Sequence, residues 1–204
     1  MRRLGVFLGG LLLITLVACG EEPRTFKPLP SGPVPDTFRV AFETTKGRFV
    51  IEAYRAWAPI AVRRFYELAS IGAFDDNAFY RVIPNFVVQF GTPGDPKLTA
   101  TLDSVKLPDE PRIERNLRGT VAFAQEGSGT RSHSVFINRR NADHLDTTGF
   151  VPFGRVVEGM AVIDSIQWPY RERPDHHLIA TIGNKYLQRM YPKADYIRSA
   201  TVLR

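Results

Sequence analysis

Two histidine clusters and one arginine-bearing run hold the side chains that could do chemistry. Ser132-His133-Ser134 sets hydroxyls beside an imidazole, the pair that activates a serine nucleophile. No G-x-S-x-G elbow surrounds it, and adjacency in sequence does not build a triad. His176-His177 offers two imidazoles, but neighbours in a loop or strand rarely aim at one ion, and Arg171 to His177 reads as solvated loop. The single cysteine, Cys19, cannot close an internal disulfide, and no Cys/His spacing resembles a zinc site. Redox chemistry, a structural metal and a cofactor are therefore not expected. The third cluster is the run Phe79-Tyr80-Arg81-Val82-Ile83-Pro84-Asn85-Phe86-Val87-Val88-Gln89-Phe90-Gly91. Taken alone, its arginine is a surface residue, and phenylalanines in strands are core far more often than binding site.

The elements that must position these residues belong to one globular domain, since 204 residues at 44% hydrophobic and 24% charged suit neither a disordered nor a fibrous chain. The formal charge is +6, but the arginines recur from Arg24 to Arg204 without forming a basic block, which argues against nucleic acid. Phe38, Val40 and Phe42 alternate with Arg39, Ala41 and Glu43, and Arg48 to Tyr54 alternates again after Lys46-Gly47, which predicts a β-hairpin. Pro59 then opens a helix whose apolar Ala61, Phe65, Leu68 and Ile71 share a face and which stops at Gly72. Further strands are predicted at Ala78 to Ile83, Phe86 to Phe90, Thr120 to Ala124, Ser134 to Ile137 and Val151 to Val157, with a helix in Gly159 to Ile166. Many short strands and few helices point to an all-β barrel or sandwich with capping helices.

The N-terminus reads as an export signal. Arg2-Arg3 precede an apolar run of 15 residues, Leu4 to Ala18, shorter than the roughly 20 that span a bilayer. Leu16-Val17-Ala18-Cys19 resembles the lipobox of bacterial lipoproteins, so residues 1–18 are expected to be a signal peptide and Cys19 the lipidated residue. Residues 19–36, with Pro23, Pro28, Pro30, Pro33 and Pro35, read as an extended tether. The expected location is the exported side of a bacterial envelope membrane, the outer membrane facing the periplasm where there are two, with a folded domain at 37–204.

The run Phe79 to Gly91 resembles the signature of cyclophilin-type peptidyl-prolyl cis-trans isomerases. TTKGRFVIEAY precedes it and Gly119 to Ala124, Val135-Phe136-Ile137 and Phe153 to Met160 come after it, in the family's order, covering roughly Phe38 to Ile166. The resemblance implies a closed eight-stranded antiparallel barrel capped by two helices, with a C-terminal extension in which Tyr196 to Leu203 supplies the closing strand. It implies acceleration of X-Pro rotation in exported polypeptides without a cofactor. Arg81 is then the catalytic donor and Gln89 the group that steadies it. Tyr80, Phe86, Val87, Ala124, Gln125, Phe136, His144, Leu145 and Phe150 are the substrate-binding residues.

The chain also departs from the family pattern. Tyr80 replaces a histidine, Phe90 a glycine, which would narrow the groove, and Gln125-Glu126 and Ser134 replace Asn-Ala and glutamine. His144 stands in place of a tryptophan, which implies weak cyclosporin binding. Glu126 would favour substrates with a basic residue near the proline. The competing reading is a non-catalytic module on the membrane that binds proline segments or holds unfolded chains.

Overall fold

The computed structural model describes residues 25–166 and 169–203. The expected signal peptide and Cys19 lie outside the described residues. Eight strands form one sheet: β1 (Thr37–Thr44), β2 (Gly47–Tyr54), β3 (Arg81–Val82), β4 (Val87–Phe90), β5 (Thr120–Phe123), β6 (Val135–Asn138), β7 (Pro152–Glu158) and β8 (Ile197–Leu203). Every pairing is antiparallel, in the order β3-β4-β6-β5-β7-β2-β1-β8. Among the described residues five α-helices accompany them: α1 (Pro59–Ser70), α2 (Pro96–Asp103), α3 (Met160–Ser165), α4 (His176–Ile182) and α5 (Asn184–Met190), with a 3-10 turn at Asp143–Thr147.

Two features of the expected architecture are corrected. The sheet curls into an open half-barrel and does not close, because its end strands β3 and β8 share no ladder. Their neighbourhood is joined by the bridge Ala78↔Tyr196, by flanking bonds from Phe79 N to Asp195 O (3.0 Å) and Ile197 N to Asn77 O (2.8 Å), and by Ala200 N donating to the Asp75 carboxylate (2.8 Å). Strand β8 instead pairs along β1, from Arg39↔Leu203 to Thr44↔Ile197. The helices also exceed two. Asp95 caps α2 and Asp175 caps α4 through their side chains, and Pro96 fills the first turn of α2, whose N–H groups have no intrahelical partner.

The interior is aromatic. Phe42 stacks on Phe49 at 4.7 Å and meets Phe65, Phe74 and Phe90, while Phe153 bridges Phe65 and Phe123. Helix α1 lays its Ala61, Phe65 and Leu68 face into this core, as its spacing predicts. Ala58, its cap residue, has no side-chain oxygen to offer, and the carboxylate of Glu110 accepts from Ile60 N (2.9 Å) and Ala61 N (3.0 Å) instead. Arg131 donates to that same carboxylate at 2.9 Å, and both side chains are buried. The described part of the expected tether touches the body: Lys27 N bonds Ile71 O at 3.0 Å, and Phe26 and Val34 pack against the core.

Candidate functional site

One row of residues runs across four strands. The register places Arg81 opposite Gln89, Gln89 opposite Phe136 and Phe136 opposite Ala122, so all four share one face of the sheet. Alternation puts Val82, Val88 and Phe90 on the other face, in the main core. Phe90 therefore does not narrow the groove, as its place in the motif suggested; it is fully buried against Phe42, Phe74 and Phe79.

On the groove face, Val87, Ala122, Phe136, Ala142 and Leu145 form a small apolar cluster separate from the main core, with Phe86, Ala124 and Phe150 packed against it. Phe136 and Phe150 meet edge to face at 5.5 Å. The groove above has a volume of about 550 Å³. Of the residues expected from sequence, Tyr80, Arg81, Phe86, Val87, Gln89, Ala124, Gln125, Phe136, Leu145 and Phe150 all line it. His144 does not line it; its ring rests on Phe86 at 5.3 Å.

Gln89 organises the polar end. Its Oε1 accepts from Arg81 Nη1 at 3.3 Å, and its Nε2 donates to Tyr80 Oη (3.1 Å) and Ser134 Oγ (3.0 Å). The Tyr80 and Ser134 hydroxyls bond each other as well. Burial pushes the Tyr80 phenol up, so it stays protonated and able to donate. The Arg81 guanidinium also lies over the Phe86 ring, 5.9 Å from its centroid.

The opposite wing of the groove was not legible in the motif. It includes Thr92, Thr99, Asp103, Lys106, His133 and His176. His133 Nδ1 meets the Gly91 carbonyl at 3.0 Å and its Nε2 lies 3.8 Å from Asp103, the carboxylate to which Ser132 donates at 3.1 Å; among the described residues neither Ser132 nor Ser134 bonds the imidazole, so they make no nucleophilic pair with it. Gly91, at φ 112°, has no room for a side chain, since a Cβ there would stand 2.5 Å from His133 O. His176 opens α4 and sets its ring edge on Tyr80 at 5.5 Å, so Arg171 to His177 is not solely solvated loop. Burial, and secondarily Arg81, hold its imidazole below the usual histidine range. Glu172 reaches the same arginine, its Oε2 accepting from Arg81 Nε at 3.3 Å. The cap residue Asp175 and the stop at Gly183 are the sequence signals that would have marked α4.

A rigid cation beside an apolar slot can stabilise an oxygen or lone pair that gains electron density, with no nucleophile or metal required. Comparison with known proteins gives the same frame. The family described as Cyclophilin type peptidyl-prolyl cis-trans isomerase/CLD matches residues 39–183. "Peptidyl-prolyl cis-trans isomerase-like 1" of Aspergillus niger is 35% identical over 127 residues, 61% of this chain and 78% of the relative. "Peptidyl-prolyl cis-trans isomerase CYP18-2" of Arabidopsis thaliana is 32% identical over 157 residues, 73% of this chain and 92% of the relative. Among solved structures, a cyclophilin type peptidyl-prolyl cis-trans isomerase of Cryptosporidium parvum superposes with a TM-score of 0.64 at 19% identity, covering 82% of this chain and 98% of its own. The same protein was also crystallised in the presence of the dipeptide Ala-Pro, and that structure gives a TM-score of 0.62.

Proposed function

Since the chain belongs to the cyclophilin-type peptidyl-prolyl cis-trans isomerase family and is an isomerase of that type, we propose that its groove takes an extended X-Pro segment and that Arg81 favours the twisted amide. Rotation about X-Pro is slow because twisting removes amide resonance, a barrier of about 18–20 kcal/mol. In the twisted state the prolyl nitrogen turns pyramidal and regains a lone pair, while the carbonyl oxygen moves. Phe136, Leu145, Phe150 and Val87 hold the proline ring. Arg81 then donates to the amide where density collects, and a fork that stays charged at physiological pH does so without reorganising.

The Ala124 N–H is already bonded to Ser134 O at 2.9 Å. Pairing with the peptide backbone therefore falls to the Ala124 carbonyl and the Gln125 N–H. His144, in place of a tryptophan and absent from the groove lining, gives weak cyclosporin binding. Glu126, exposed at the groove, favours a basic residue beside the proline. The clients are unfolded exported polypeptides, met at a membrane to which Cys19 fixes the protein through acyl chains, each buried methylene adding about 0.8 kcal/mol.

The observation that carries this reading is the Arg81 guanidinium held by Gln89 at the lip of the separate apolar cluster. NMR exchange on a short X-Pro peptide tests it, run with the full chain and with Arg81→Ala, both checked for folding. Acceleration by the wild type and a loss of about a hundredfold or more in the variant is the expected result. A folded wild type that shifts peptide resonances without accelerating exchange would identify a proline-binding module instead. For the anchor, Cys19→Ser should abolish incorporation of labelled fatty acid and release the protein from membranes.

A further inference from the structure

We propose that Glu172 is a positioning residue for Arg81, supplied by the C-terminal extension. This inference rests on the reading of Arg81 as the catalytic donor. Three groups hold the guanidinium: Gln89 takes Nη1, the Phe86 ring lies against its face, and Glu172 takes Nε. Nη2 has no bond among the described residues, and Nη1 keeps a second N–H. These remain to meet an amide in the groove, which Arg81 lines.

The approach of Glu172 decides between helping and blocking. It is not among the residues lining the groove, although its neighbour in the same segment, His176, is. It therefore reaches the arginine without occupying the slot. Its placement is built into the backbone: Val82 N, next in the chain to Arg81, donates to Arg171 O at 3.3 Å, so Glu172 is delivered beside Arg81 by a bond to the outer edge of β3. Arg171 adopts φ 56°, a left-handed conformation uncommon for a residue with a side chain, to make this turn. The segment then passes into the cap of α4, where Asp175 accepts from His177 N (2.8 Å) and Leu178 N (3.1 Å). Ile179 anchors that helix in the core.

The charge has a second use. A peptide that closes over the groove displaces water from Arg81, and an uncompensated cation in such a place is costly. Glu172, 64% exposed against 25% for Arg81, remains in water and keeps the arginine partnered throughout the cycle. A carboxylate on Nε also fixes the plane of the guanidinium, which Gln89 alone leaves free to turn about one contact.

The test uses the full chain with Glu172→Ala and Glu172→Gln. In Glu172→Ala, kcat for the X-Pro peptide should fall roughly three- to fivefold, the size set by one partly exposed ion pair, with KM changed less than about twofold. Glu172→Gln should recover part of the loss, because its amide oxygen still accepts from Nε while the compensating charge is gone. Exchange of the Arg81 Nε proton with water, followed by NMR, should quicken in Glu172→Ala and not in Glu172→Gln. An unchanged or raised kcat in Glu172→Ala, or an Nε proton indifferent to both substitutions, would overturn the proposal. A wild type without turnover would instead overturn the isomerase reading of Arg81, and the proton exchange would still decide whether Glu172 holds the side chain.

Discussion

Arg81 and Gln89 stand opposite each other in the β3–β4 ladder, so the bond that orients the guanidinium is a cross-strand contact within one short hairpin. Gln89 is also bonded to Tyr80 and Ser134, so its amide cannot turn away without breaking both contacts. Gln89→Leu keeps the volume and removes the acceptor. It should lower kcat by about ten- to a hundredfold, as for a reacting group displaced by about an ångström, while the far-ultraviolet circular dichroism stays that of the wild type. Full activity in that variant would remove Gln89 from the mechanism.

Stability depends on a buried pair that does not itself line the groove. Glu110 caps α1 and is matched by Arg131, with 3% and 1% side-chain exposure, so Glu110→Ala leaves a buried cation and two open N–H groups. The expected cost is about 3–5 kcal/mol, a fall in Tm of roughly ten degrees or more. Differential scanning calorimetry reads it directly, and a shift of only a degree or two would mean that water replaces the cap.

Acid should loosen the fold through His133. Burial pushes its imidazole below the ordinary histidine range, against a weaker upward pull from the Gly91 carbonyl and Asp103 and a downward one from Arg64 and Lys106. The unfolded chain then takes up this proton first as pH falls. The contribution of His133 is complete above about pH 6.5 and is lost as pH drops through the lower folded value. Urea midpoints measured between pH 7 and pH 5 should decline, and His133→Gln should flatten that slope. A slope identical in both proteins would assign it elsewhere.

Strand β8 lies at the end of the sheet but pairs with β1 along most of its length. Removing residues 196–204 should leave a chain without cooperative thermal unfolding, because β1 loses the second of its two partners and the bridge to Ala78 goes with it. An unchanged melt would show that β1 and β2 suffice.

Local rules carried much of this into the sequence. Pro59 at the first turn of α1, and the alternation of Phe38, Val40 and Phe42, correspond to elements found in place. The groove residues were legible because they lie in one contiguous motif and a few ordered companions. Phe90 was legible too and misread: it alternates with Val87 and Gln89, and parity alone assigns it to the core face. The pairing of Glu172 with Arg81 was not legible. It spans 91 positions and depends on the path of the extension past β3, which no local pattern encodes. The open end of the sheet is of the same kind, since which strands meet at the end depends on curvature accumulated over eight strands.

The bonds that run along the two end strands have a meaning for an isomerase that binds proline-containing peptides. An exposed strand edge templates the addition of any extended chain, and such a client would be stapled to the sheet and not released. Here the β3 side is met by Arg171 and Asp195, and the β8 side by Asn77 and the Asp75 carboxylate, which accepts from Ala200 N at 2.8 Å. The half-barrel is thus shielded from strand addition at these points, while the groove stays open to an extended chain.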